Sequence, residues 1–365
     1  MSRTALVIGG TGPTGPHIVA GLEARGFAVT ILHTGRHEIA ELDHLPHLHG
    51  DVRSTEGLTE ALGATTWDVV IATYGRLRSV AEVLAGRCGQ LISVGGVPAY
   101  RGYFDAGRWD PPGLPVPTAE DAPRSDTDDD GKSYRIARTE DHLFAHHPDA
   151  THFRYPFVYG PRQLAPREWS IVRRIRDGRP FIVVPDGGLT LVTFGYTENL
   201  AHAVLLAVDN DAARGEAFNC GDEECLTLRQ VVELVSAELD HRWEIVSMPA
   251  PLAVPARPLM MADRTTHRVM DLTKAKTLLG YTDVVPARTA IRSTARWLFD
   301  NPPEPGSIEE KVLEDPFDYP AEDALVASWR AALGTVEVPA FAVEPGPGLA
   351  YGGPGTNYTR PDTRI

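Results

Sequence analysis

The sequence predicts an α/β protein, a doubly wound parallel sheet with a smaller C-terminal substrate domain. Three observations predict it. Apolar runs of strand length alternate with helical patterns through the first 100 residues. Those runs are mostly apolar with little alternation, as strands covered on both faces are. The first of them turns through glycines at positions 9, 12 and 15 directly into a helical pattern, LVIGGTGPTGPHIVAGL over residues 6–22. Right-handed crossovers between such units wind helices over both faces of the sheet.

In chain order the patterns predict a strand at 5–9, a helix at 17–25, strands at 27–32 and 69–72 flanking a helix at 58–62, a helix at 80–85 and a strand at 90–94. Residues 101–132 are rich in Pro, Asp and Gly and end in SDTDDDGK, which reads as a surface excursion on an active-site rim. A helix over 134–145 and a strand around 151–157 follow. The stretch 163–186 reads as an insert with its own helix, and 193–209 as a short strand followed by a helix. A helix over 228–239 takes Thr227 as its N-cap, and 289–299 is another helix. These elements divide into a dinucleotide-binding domain over 1–162, to which 191–219 returns, and a substrate domain over 163–190 and 220–300. Residues 301–365 form an extension whose Pro/Gly-rich last 20 residues or so are expected to be extended.

Charge and cysteine content narrow the function. The net charge of −14 disfavours a nucleic-acid backbone or an anionic membrane as partner. Cys88, Cys220 and Cys225 match no zinc or redox spacing. The N-terminus shows no signal-peptide pattern, and no apolar stretch approaches the roughly 20 residues of a membrane helix. A cytoplasmic protein acting on a small molecule is expected.

The glycine corner has a physical use. Gly9 permits a tight turn, Gly12 removes a side chain where a pyrophosphate approaches the backbone, and Gly15 lets the helix pack close to the strand. Thr11, Pro13 and Thr14 complete the loop, and the helix N-terminus offers amide groups and a positive dipole end to the phosphates. At the end of the second strand stand His33, Thr34, Gly35 and Arg36, with no acidic residue for a ribose 2′-hydroxyl. Arg36 suits a 2′-phosphate, which favours NADP with NAD as the alternative. Asp51 and Val52 suit an adenine ring, the carboxylate at its amino group and the valine against its face, or Asp51 is a plain loop residue. His33, His37, His44, His47 and His49 read as loop residues without ligand-like spacing, so no metal is expected.

Taken together, GGTGPTG at 9–15, GDV at 50–52, LISVGG at 91–96, YRIAR at 134–138, RYPFVYGPRQ at 154–163 and DLTKAKTLLGY at 271–281 resemble the extended short-chain dehydrogenases/reductases, the branch of the NAD-dependent epimerases and dehydratases. The resemblance implies a Rossmann domain with a smaller substrate domain built from later segments, and hydride-transfer chemistry; a homodimer is a further expectation, not one the resemblance supplies. It assigns Tyr134 as the acid/base at the substrate oxygen. Arg138 stands where the family has the lysine that lowers the tyrosine pKa. Ser93 is the one hydroxyl in the expected turn, although the family's working position falls where this chain has Val94 and Gly95. Thr73 joins the cofactor set, and Pro156, Phe157 and Val158 are the positions that meet the nicotinamide carboxamide. Arg154 and Arg162 are candidates for an anionic substrate or for plain surface ion pairs. A binding module that holds a dinucleotide without turning it over is the competing reading.

Overall fold

The computed structural model describes residues 2–73, 76–260, 265–343 and 345. The predicted extended tail beyond 346 lies outside the described residues.

The first half runs β1 (Thr4–Ile8), α1 (Gly15–Glu23), β2 (Ala28–His33), β3 (His47–His49), α2 (Thr55–Leu62), β4 (Trp67–Ala72), α3 (Leu77–Leu84), β5 (Cys88–Gly96), α4 (Lys132–His146) and β6 (Thr151–Tyr155). Next come β7 (Phe157–Tyr159), α5 (Trp169–Arg176), β8 (Phe181–Pro185), β9 (Phe194–Tyr196), α6 (Thr197–Leu206) and β10 (Ala217–Asn219). The chain closes with α7 (Leu228–Glu238), β11 (Glu244–Met248), α8 (Thr273–Leu279), α9 (Ala287–Asp300), α10 (Ile308–Lys311) and α11 (Tyr319–Leu333).

Seven strands pair in the order β10-β6-β5-β4-β1-β2-β3, all parallel. The order reverses between β1 and β4, which opens a crevice at their carboxyl ends. Alternate residues explain the two covered faces. Ala5 and Val7 of β1 join Val69 and Ile71 of β4 in a core with Ile18 and Leu22 of α1 and Leu200 and Val204 of α6. Leu6 and Ile8 join Val70 and Ala72 under Leu58 of α2, Val80 and Leu84 of α3 and Leu143 of α4. A strand buried on both faces has no polar position left to alternate, hence the continuous apolar runs.

A second core gathers Trp169, Ile171 and Val172 of α5 with Val232 and Val235 of α7 and Ile291 and Leu298 of α9. Thr227 caps α7 as expected: its hydroxyl accepts from the Gln230 amide at 3.1 Å, and Gln230 Oε1 accepts from the Thr227 amide at 2.8 Å.

Four features depart from the sequence reading. Pro156 divides the strand expected over 151–157, and Phe157 opens β7, which pairs with β9 in a separate two-stranded sheet. β8 pairs with β11, so the 163–186 insert carries a strand as well as a helix. Histidines 47 and 49 lie on an edge strand and not in a loop. A separate unit begins at Asp318, and its described residues include the 15-residue helix α11, where only an extension was expected. Among the described residues no helix is long and apolar enough to cross a membrane.

Candidate functional site

At the glycine corner each glycine has a separable reason. Gly9 has φ of +86°, in the left-handed region that L side chains avoid. Its amide donates to the Leu32 carbonyl at 2.9 Å, and the Gly12 amide returns to the Gly9 carbonyl at 3.0 Å. A Cβ on Gly15 would stand 1.8 Å from the Gly10 carbonyl oxygen, because α1 is pressed against the loop. Gly12 is different. A Cβ there meets only the Gly9 carbonyl, at 3.3 Å, so the fold itself barely requires its smoothness. The missing side chain leaves backbone open at the start of α1, where the helix dipole favours an anion. Thr11 and Thr14 are buried beside it and Pro13 is half-buried. Thr14 makes no capping bond with its side chain. This donor set fits a dinucleotide pyrophosphate.

Thr73 closes the crevice from the other side. Its hydroxyl lies 3.1 Å from the Ile8 carbonyl and 3.2 Å from that of Gly9, tying the end of β4 to the corner. Val52 is buried in the core under α2 and α3. Asp51 is exposed and accepts from the Arg53 guanidinium and amide, both at 3.0 Å. Those bonds hold its carboxyl below its ordinary pKa, and the charge of Arg36 adds to the effect. His33 does not present a free ring to the crevice: it is buried, its Nε2 lies 2.8 Å from His47 Nδ1, and burial pushes its pKa down.

The three expected catalytic residues do not converge. Tyr134 and Arg138 share one face of α4, as an i, i+4 pair must, but the guanidinium carbon sits 5.5 Å from the ring centroid. That is a stack on the ring face, not a contact with the hydroxyl. Ser93 is fully buried within β5 and points into the sheet's own packing. Its hydroxyl reaches the Thr151 carbonyl at 3.3 Å, and its Oγ lies 2.8 Å from His152 Nδ1. It is therefore a core residue in this structure. The cause is register: Ser93 lies directly across from His152 on β6.

Ser93 opens a buried polar chain. His152 Nε2 lies 3.5 Å from Glu140 Oε1, and Glu140 takes both Nε and Nη2 of Arg154 at 2.9 Å. Arg154 continues to the Tyr100 hydroxyl at 2.8 Å, which donates to Asn219 Oδ1 at 2.6 Å. Arg154 is thus spent inside the protein and is no substrate contact; Arg162 pairs with Glu41. Burial works to raise the Glu140 carboxyl, but hydrogen bonds and charge from His152 and Arg154 outweigh it and hold it at about 2. Glu140→Ala is expected to destabilise the fold by about 3–5 kcal/mol, because it strands the Arg154 charge in the interior. Denaturant unfolding with an unchanged m-value checks this. Since the folded pKa lies below the ordinary 4.5, this stabilisation is present above that pH and is lost as pH falls toward 2.

Two hollows escaped the sequence reading. A cleft of about 720 Å³ opens beside Gly95 and Gly96 at the end of β5, between the first turns of α3 and α4. Arg76, Arg78, Lys132 and Arg135 line it, with His152 and Glu140 at its floor. A smaller cavity of about 50 Å³ in the second core is lined by Phe194, Val231 and Ile291 with Arg167, Glu168 and Arg268. The Arg167 guanidinium lies over the Phe157 and Phe194 rings at 4.9 and 4.3 Å. Burial lowers the pKa of Arg167 and raises that of Glu168. The adjacent pair Arg167–Glu168 was the signal available for this cavity, but in a polar stretch it reads as solvated.

No protein-family model matches the chain. Among curated proteins, the chloroplast stem-loop binding protein of 41 kDa b from Arabidopsis thaliana is 27% identical over 240 residues, 62% of this chain and 60% of that protein. Matches to the curated relatives span between 29% and 60% of those proteins' own length. Among solved structures, UDP-glucose 4-epimerase from Thermotoga maritima aligns over 82% of this chain and 99% of its own, with a TM-score of 0.65 at 18% identity. WbmG from Bordetella bronchiseptica, solved in complex with NAD, aligns over 82% and 95% with a TM-score of 0.64 at 17% identity. The protein has the fold of the NAD-dependent epimerases and dehydratases, the extended short-chain dehydrogenases/reductases that its motifs resemble.

Proposed function

We propose that the protein is an NAD(P)-dependent oxidoreductase that transfers hydride at a carbonyl or alcohol of a small polar substrate, as a reductase or in the manner of an epimerase/dehydratase. The observation that carries it is Gly12, whose smoothness the fold barely needs and a pyrophosphate does. The first turn of α1 would hold the phosphates, Asp51 and Arg36 would face the adenosine end, and residues 156–158 would meet the carboxamide. The bound nicotinamide supplies or accepts the hydride; the chain's own part is to bind, orient and move a proton, the last through Tyr134. The test is the purified full chain, analysed by mass spectrometry for co-purified dinucleotide and assayed for nicotinamide absorbance change against carbonyls, alcohols and sugar nucleotides. Bound dinucleotide with turnover is expected; no affinity for either dinucleotide overturns the proposal.

The choice of cofactor is ours as well: NADP, because of Arg36. Arg36→Ala is expected to weaken NADP by about one to two decades, or roughly 1.5–3 kcal/mol, and NAD much less. Titration of both cofactors decides it, and equal losses remove the case for NADP. We further propose a small-molecule substrate, a cytoplasmic homodimer and no nucleic-acid partner. One relative's name records stem-loop binding, but a charge of −14 opposes a phosphate backbone.

A second reading, a dinucleotide-binding sensor without turnover, is favoured by the buried Ser93 and by the stacking of Arg138 on the ring face of Tyr134. Tight binding without any turnover across that substrate panel selects it.

A further inference from the structure

Four side chains at the edge of the main sheet stand in an arrangement that neither the glycine corner nor the buried polar chain explains. β2 and β3 run parallel with His33 opposite His49, and His47 lies two residues before His49, so all three imidazoles project from one face. The connecting segment returns Glu38 to the same face. His33 Nε2, His47 Nδ1 and His49 Nε2 stand 3.6, 3.5 and 3.4 Å from the Glu38 carboxylate, and the first two stand 2.8 Å from each other.

Charge-assisted hydrogen bonds between such groups are about 2.7–2.9 Å long. Three nitrogens converging on one carboxylate at 3.4–3.6 Å are too far apart for that. These nitrogen–carboxylate distances are close to those of a coordination shell, since zinc–nitrogen bonds of about 2.0–2.1 Å in a tetrahedron place neighbouring ligand atoms about 3.3 Å apart; His33 and His47, hydrogen-bonded at 2.8 Å, would move apart by about 0.5 Å to admit the ion. All four ligand atoms fall within 4.8 Å of one another. His47 is also oriented from behind. Its Nε2 lies 2.9 Å from the Leu42 carbonyl, which fixes the proton there and turns the Nδ1 lone pair toward His33 Nε2 and Glu38, where an ion would replace the hydrogen bond from His33.

We infer that His33, Glu38, His47 and His49 form a binding site for one divalent transition-metal ion of the zinc class. Three imidazoles and one carboxylate suit zinc, whereas calcium or magnesium would want oxygen ligands. Four protein ligands make a closed shell, so the role is structural. The ion would pin the segment between β2 and β3, which carries Arg36, to the sheet. Gly35 already lies against His49: a Cβ there would stand 3.4 Å from the ring. The inference does not depend on the oxidoreductase reading.

The test uses the full chain, stripped with a chelator and titrated with zinc chloride by calorimetry, with metal content measured by mass spectrometry. Cobalt(II) replaces zinc in a second titration read by its visible spectrum. One ion per chain, the intense bands of tetrahedral cobalt and a zinc-dependent rise in Tm are expected. Glu38→Ala and His49→Ala alter half-exposed side chains that a folded protein tolerates, and each should weaken zinc by about a hundredfold or more. His37→Ala and His44→Ala should leave it unchanged. A second group, Glu82, His142 and His146, provides the internal control. Zinc that survives His49→Ala and is lost in His142→Ala, or the absence of stoichiometric binding, overturns the assignment.

Discussion

Gly12→Val is expected to abolish dinucleotide binding in a chain that still folds. The two halves of that statement come from different atoms. A Cβ at position 12 meets only the Gly9 carbonyl, at 3.3 Å, a contact that a shift of a few tenths of an ångström relieves. The valine methyls beyond it occupy the space through which a phosphate would approach the first turn of α1. A loss of a hundredfold or more in affinity, about 2.8 kcal/mol, is expected, with Tm nearly unchanged. Gly15→Ala is the contrasting variant. Its Cβ would collide with the Gly10 backbone at 1.8 Å, so it should lose stability and binding together. Unaltered affinity in folded Gly12→Val would remove the proposed phosphate site.

Tyr134→Phe carries the second large effect. Helices that follow parallel strands begin at the strands' carboxyl edge, so the first turn of α4 lies on the same edge as the glycine corner. Tyr134 is in that turn and is half-buried. If it transfers a proton to the substrate oxygen, removing only its hydroxyl should lower kcat by about 10²–10⁴ and leave dinucleotide affinity in place. Arg138→Lys separates two roles for its neighbour. A planar guanidinium that stacks on the ring is poorly replaced by a compact ammonium, so kcat and its pH profile should both change. Undiminished turnover in Tyr134→Phe would pass the acid/base role to another group, and Lys132 in the cleft beside β5 is the first to examine.

The parallel sheet was legible in the chain because β1, β4 and β5 are buried on both faces, and continuous burial writes itself as an unbroken apolar run. The corner was legible for a related reason: a backbone that must turn tightly and sit close to a helix tolerates little but glycine. β3 was hidden because a three-residue edge strand made of HLH has neither length nor an apolar pattern. The break at Pro156 was hidden because the residues on both sides, Tyr155 and Phe157, are equally strand-like. Side-chain sites fared worse than elements. Ser93 sits on the strand where expected, but whether its hydroxyl meets a substrate or His152 depends on pairing with a strand some 60 residues away. Glu140 gave no signal, and Arg154 reads in the sequence as a substrate contact or a surface ion pair and not as a buried partner, since charged residues on a helix and a strand usually read as solvated. The histidines read as loop residues because, without the parallel pairing of β2 and β3, nothing in their spacing brings His33 level with His49.

One residue, Pro156, is all that separates β6 in the seven-stranded sheet from β7 in the small sheet with β9. The pyrrolidine ring fixes one of that residue's two soft dihedrals, and both neighbours are committed to hydrogen-bonded ladders. The junction therefore has close to a single torsional degree of freedom. It works as a stiff lever arm and not as a tether. A displacement of β7 has no slack chain in which to dissipate and must be felt as torque at the carboxyl end of β6.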